Sequence, residues 1–271
     1  MRAALVRALA EKDLLVVRRS RMVMLPMVLV PVLLLVLLPA GLLLGAQLIP
    51  PGAGSSDIAE VMSHLPQGLR QEFRGYTEVQ TVVAYIATYL WAPLFLIVPL
   101  LVSSGVAADS FAGERERKTL ESLLYTPLTD LELFAGKVAG AWFTAIVVAL
   151  GGFVLYALTV NLAGWPVMGR VFFPNVSWIL LLLWVVPAVA LLGLGAVVLL
   201  SARVETAHEA FQAGGLVVLP VIVLVLGQLS GVLVFGPALV IVLGAVVWGV
   251  ALAVLMVGFR RFRRTTLINR L

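Results

Sequence analysis

Charge is concentrated between Gly113 and Asp130, a stretch that stands between long uncharged segments. Its oppositely charged residues repeat at three- and four-residue spacing, which predicts a short amphipathic helix stabilised by ion pairs. The polar side of that helix carries Glu114, Lys118, Glu121 and Tyr125, and the apolar side carries Leu120, Leu123 and Leu124. Such a helix acts as a lever that a partner protein moves, or it is a surface segment held by its own salt bridges.

A second helix starts directly after this one. Thr126-Pro127 ends the first helix, because proline cannot continue a helix and restricts the residue before it. Thr129 and Glu132 have the spacing of a capping box, which predicts a new helix start. Lys137, two turns further on, is expected to extend its amine to the membrane interface.

The sequence lacks the residue patterns of several enzyme classes. No G-x-x-x-x-G-K-[ST] phosphate loop is present, so we expect neither ATP hydrolysis nor a bound cofactor in this chain. The two histidines, His64 and His208, are predicted on opposite sides of a membrane and cannot share a metal. We therefore predict that the chain is not an enzyme.

Uncharged polar residues within apolar segments are the remaining candidates for a binding surface. Tyr85, Thr88 and Tyr89 fall close together on one predicted helix, and Gln228 lies on another. They line a translocation path or make packing hydrogen bonds between helices. Ser103, Ser104 and Tyr156 belong to the same group.

The composition places these residues in a membrane protein. The chain has 271 residues, of which 62% are hydrophobic and 12% charged. Soluble domains carry about 25% charged residues. The net charge of +5 is modest, and no nucleic-acid partner is expected.

Uncharged windows of about 20 residues or more predict six transmembrane helices. They are predicted at residues 23–46, 82–106, 137–161, 177–201, 213–233 and 237–259. We expect an all-α, polytopic membrane protein with a single transmembrane domain over residues 1–271.

The distribution of basic residues predicts the orientation. All but three of the 19 lysines and arginines fall on one side of this topology. The exceptions are Arg70, Arg74 and Arg170. Basic loops stay in the cytoplasm, which predicts that both termini and the charged stretch are cytoplasmic.

The segments outside the spans have separate predicted roles. Residues 1–21 form a basic amphipathic helix at the interface with membrane lipids, or a short solvated tail. Residues 47–80 form an external loop, and residues 107–136 form a cytoplasmic coupling segment.

The charged stretch resembles the signature of the type-2 ABC exporter permease family. The similar residues are Glu114-Arg-Glu-Arg-Lys-Thr119-Leu120-Glu121, Leu123-Leu124, Thr126-Pro127 and Gly136-Lys137. Lys118 stands where that family most often has glycine. Six helices with both termini inside agree with the resemblance along the whole chain.

The resemblance implies a permease subunit of an ABC exporter in the plasma membrane. Two cytosolic ATPase subunits would hold ATP and Mg²⁺, and a second copy or a paralogous permease would complete the pathway. The implied ATPase-coupling residues are Glu114, Glu116, Arg117, Thr119, Leu120, Glu121, Leu124, Thr126 and Pro127. The alternatives are a membrane anchor or assembly scaffold that recruits another cytosolic protein, and a carrier driven by an ion gradient.

Overall fold

The computed structural model describes residues 21–48, 73–117, 129–201, 203–204, 206–229 and 236–261. Every regular element within these ranges is helical, which confirms the predicted all-α class. Six of the helices are long and apolar enough to cross a membrane. The predicted interfacial helix and most of the predicted external loop lie outside the described residues.

The six spans agree with the prediction, and several begin earlier. They are α1 (Met24–Ala46), α2 (Glu78–Glu116), α3 (Asp130–Met168), α4 (Val176–Ser201), α5 (Ala207–Gln228) and α6 (Pro237–Arg260). The predicted capping box at the start of α3 is confirmed. The Glu132 N–H donates to Thr129 Oγ1 at 3.2 Å, and the Thr129 N–H donates to Glu132 Oε2 at 3.1 Å. Because this box starts the helix at residue 130, residue 137 lies about 10 Å inside it.

The helices run alternately between two ends of the bundle. At one end, the rings of Phe134 on α3 and Phe259 on α6 lie 5.1 Å apart. The last turn of α2 lies at the same end. We call it the junction end, because the contacts described below join three helix ends there. At the far end, the side-chain amide of Gln47 donates to the Ala163 carbonyl at 2.7 Å, and that of Gln80 donates to the Val167 carbonyl at 3.0 Å.

Helices α2 and α4 form the centre of the bundle. Most of their residues are buried inside the chain, whereas most residues of the other four helices are not. Gly193 on α4 permits the close contact, because a Cβ there would lie 2.7 Å from Ser103 Oγ and 2.9 Å from the Leu100 carbonyl oxygen. Small residues allow this approach between membrane helices.

Candidate functional site

The last turn of α2 makes a buried ion pair with α3. Glu114 is 5% exposed and Lys137 is 1% exposed. The Lys137 ammonium lies 2.5 Å from Glu114 Oε2 and donates to the Ser110 carbonyl at 2.7 Å. It also lies 5.6 Å from the centre of the Phe111 ring. Two charges removed from solvent stabilise each other here through direct contact and additional hydrogen bonds.

This arrangement corrects two predictions. Lys137 does not extend to the interface, because α3 begins two turns before it and its side chain faces α2. Glu114 does not lie on a solvent-exposed side, because α2 continues to residue 116 and directs Glu114 at α3. The ion pairs predicted within the charged stretch involve residues after Arg117, which lie outside the described residues.

A π-helical turn, Asp109–Gly113, precedes these charged residues. Such a turn interrupts the regular hydrogen-bond pattern and leaves carbonyl groups open to side-chain donors. The Ser110 carbonyl lies in this turn and accepts from Lys137. Arg117 also returns to the turn, and its guanidinium lies 2.9 Å from Asp109 Oδ1.

The same end of α2 contacts the start of α5. Glu116 Oε2 accepts from the Ala207 N–H at 2.9 Å, and the Arg115 guanidinium donates to the Val204 carbonyl. Thr206 Oγ1 accepts from the Glu209 N–H at 3.2 Å. A carboxylate at a helix N-terminus also interacts favourably with the helix dipole. We call residues 114–117 with these partners the junction.

The junction therefore joins three helix ends at the place where the predicted coupling helix begins. Of the predicted coupling residues, Glu114, Glu116 and Arg117 belong to it. The others lie outside the described residues, namely Thr119, Leu120, Glu121, Leu124, Thr126 and Pro127. Sequence reasoning did not identify Asp109, Arg115 or Ala207 as partners, and no spacing rule connects positions so far apart.

The four predicted pathway residues lie together at a second site. Tyr85 is half-buried, whereas Thr88, Tyr89 and Gln228 are buried. The Tyr85 and Tyr89 rings stack with centres 6.2 Å apart. The Gln228 amide donates to the Tyr89 carbonyl at 2.5 Å.

This second site is built on a π-helical turn of α2, Ile86–Leu90, and we call it the bulge cluster. Three consecutive carbonyls of the turn accept from three other helices. The donors are the Tyr156 hydroxyl to Ala87 at 2.6 Å, the Trp178 indole N–H to Thr88 at 2.6 Å, and the Gln228 amide to Tyr89.

Proline contributes to the bulge cluster. Pro93 has no N–H, so it cannot donate to the carbonyl four residues earlier, that of Tyr89. The Gln228 amide donates to this carbonyl. In the sequence, Pro93 is the residue that points to this acceptor. The contact between Trp178 and the Thr88 carbonyl could not be predicted, because it depends on how α2 packs against α4.

The seam between α2 and α5 holds incompletely satisfied polar atoms. Gln228 Oε1 and Ser104 Oγ are buried and have no hydrogen-bond partner among the described residues. Ser104 faces Gly214 of α5. A small apolar crevice lies near the junction and is lined by Pro26, Met27, Leu101, Val102, Gly105, Ala108, Asp109, Ala207 and Phe211.

The family model described as ABC-2 family transporter protein matches residues 7–241, which include the junction and the bulge cluster. The chain belongs to the ABC-2 transporter family. It is accordingly a multi-pass membrane protein and the permease component of an ABC transporter, and members of this family are membrane subunits that associate with an ABC ATPase. No curated protein sequence matches the chain.

Proposed function

We propose that this ABC-2 permease forms the pathway of an exporter and receives movement from a separate cytosolic ATPase through the helix at residues 113–127. The observation that supports this most is the buried pair of Glu114 and Lys137. It joins the helices that precede and follow residues 118–128. A force on that segment then acts on α2 and α3 together.

The junction end faces the cytoplasm in this proposal. The excess of lysine and arginine on that side supports the orientation, and so does the need for an ATPase to reach residues 118–128. Both termini then lie in the cytoplasm, and the membrane is the plasma membrane. ATP and Mg²⁺ are held by the partner subunits, and this chain binds no cofactor.

The complete transporter contains two ATPase subunits and two permease chains, either two copies of this chain or one copy with a paralogue. The pathway follows the seam between α2 and α5. The polar groups along this pathway are the bulge cluster and Ser104. Gln228 Oε1 and Ser104 Oγ can each accept a hydrogen bond from a cargo that donates one. Apolar surface separates these polar groups, which suits an amphiphilic cargo.

Co-purification with a candidate cytosolic ABC ATPase from the same genome tests the proposal. We expect a stable complex whose ATP hydrolysis is altered by the permease. Replacing Glu121 and Leu124 with alanine is expected to remove this effect while the chain still inserts in the membrane. Leu131→Ala is the matched control, since Leu131 is exposed on the first turn of α3, just beyond the segment.

Two results would contradict the proposal. One is an unchanged effect on ATP hydrolysis after replacement of Glu121 and Leu124, which would exclude that helix as the coupling element. The other is transport that persists after ATP depletion and stops when an ion gradient collapses, which would support a secondary carrier. Recovery of a stable complex with a cytosolic protein that is not an ATPase would support the scaffold alternative.

A further inference from the structure

The junction contacts α5 through atoms that are separate from the ion pair to α3. Glu116 accepts from the backbone N–H of Ala207, the first residue of α5, at 2.9 Å. Arg115 donates to the Val204 carbonyl, just before that helix. The two side chains are adjacent in sequence. Together they bond one backbone N–H and one backbone carbonyl at the connection between α4 and α5.

The first part of α5, Ala207–Gly215, is packed as a unit against α2 and α4. Ala210 is fully buried, and Ala207 is 8% exposed. Gly214 lies so close to α4 that a Cβ at this position would clash with the side chain of Val197. Residues 207–215 therefore form one packed unit, which we call block 207–215.

The block ends at a break in α5. Residues Leu216–Val218 form a 3₁₀ turn, and Pro220 follows. A 3₁₀ turn inside a longer helix often marks a hinge, and proline removes one helical hydrogen bond. Leu216 in this turn and Leu219 and Val223 beyond it are exposed, whereas Val221 is buried, so one face of α5 here is not packed within the chain.

A small apolar crevice lies beside the block. It is lined by Ala207 and Phe211 of α5 and by Pro26 and Met27 of α1, among others. Its walls are apolar apart from Asp109, whose carboxylate pairs with Arg117.

We propose that movement of the coupling segment reaches two helices. The ion pair of Glu114 and Lys137 moves α3, and Glu116 and Arg115 move α5. Movement of residues 118–128 shifts block 207–215 about the hinge Leu216–Val218. The far end of α5 stays attached through Gln228 and Tyr89. Glu116 is then a positioning residue within the chain, and this inference rests on the proposed function.

The experiment measures two distances by electron spin resonance in the complex with the ATPase. The sequence contains no cysteine, so substituted cysteines take spin labels at defined positions. Gln212→Cys, exposed on block 207–215, reports on α5, and Ser122→Cys reports on the coupling segment. Met256→Cys, exposed on α6, is the common reference.

In the parent background, both distances to residue 256 are expected to change between the nucleotide-free state and the state with ATP and Mg²⁺. Glu116→Ala combined with Arg115→Ala is expected to keep the Ser122 change and to lose the Gln212 change. Glu116→Gln alone keeps an acceptor oxygen for the Ala207 N–H and should retain both changes. Glu78→Gln, a carboxylate replacement at the opposite end of α2, is the control.

An unchanged Gln212 response in the double alanine variant would overturn the inference while leaving the proposed function intact. Absence of a Ser122 response in the parent protein would overturn the proposed function, and the inference with it. Loss of the Gln212 response in Glu78→Gln would show that the effect is not specific to the junction. The melting temperature of each variant separates loss of transmission from loss of fold.

Discussion

The Lys137 ammonium lies 2.5 Å from the Glu114 carboxylate, and both side chains are almost completely excluded from solvent. The residues belong to different helices and stand on either side of the predicted coupling segment. A buried pair of this kind contributes little net stability compared with an apolar pair, yet breaking it leaves a charge without compensation. Its position between the two helices that flank the coupling segment suits a contact that transmits force from that segment.

The first prediction concerns this ion pair. Lys137→Met is expected to destabilise the fold by about 3–5 kcal/mol, because Glu114 is then buried without its cation. Adding Glu114→Gln should recover most of that loss, since neither charge is then buried alone. Thermal unfolding of the purified protein in detergent measures both effects.

Arg203→Met is the control for the ion pair, because Arg203 is an exposed basic residue at the same end of the bundle. This variant should unfold close to the parent temperature. A double variant no more stable than Lys137→Met would show that Glu114 and Lys137 do not depend on each other.

The second prediction concerns the bulge cluster. Tyr156→Phe removes the hydroxyl that donates to the Ala87 carbonyl, with little change in packing volume. Interhelical hydrogen bonds in membranes contribute about 0.6–1.7 kcal/mol, so a loss within this range is expected. The measurement is the unfolding temperature, with Tyr85→Phe as the control because Tyr85 is only half-buried. Equal stability of Tyr156→Phe and the parent protein would argue against this hydrogen bond.

The third prediction concerns the contact between α2 and α4. Gly193→Ala places a methyl group 2.9 Å from the backbone oxygen of Leu100, so the helices have to separate. Overpacking of this kind costs about 1–3 kcal/mol. Gly249→Ala is the matched control, because a Cβ there has no neighbouring atom within 4 Å and alanine favours helix formation. Equal unfolding temperatures for the two variants would refute the close contact.

Local signals in the sequence predicted the spans and one helix start correctly. Long apolar windows define membrane helices because charges are costly in the bilayer, and the box of Thr129 and Glu132 needs only residues three positions apart. The start of α5 at residue 207 was missed because Thr206, its N-cap, stands in a polar stretch without an apolar repeat.

The partners of the charged residues could not be predicted in this way. Glu114 and Lys137 lie 23 residues apart, and the register of α2 against α3 decides their contact. That register depends in turn on the π-helical turn before residue 114. The contact between Glu116 and the Ala207 N–H likewise depends on how α5 packs on α2.

The most direct test of the central claim is the side of the membrane on which the coupling segment lies. Ser122→Cys gives a chain with one thiol, and Arg74→Cys gives the matching thiol at the far end of α2. We predict that a membrane-impermeant maleimide labels Ser122→Cys only in inside-out vesicles and Arg74→Cys only in right-side-out vesicles. The bound ATPase should also protect Ser122→Cys. Labelling of Ser122→Cys from the outside would contradict the account, because no cytosolic ATPase could then reach the junction.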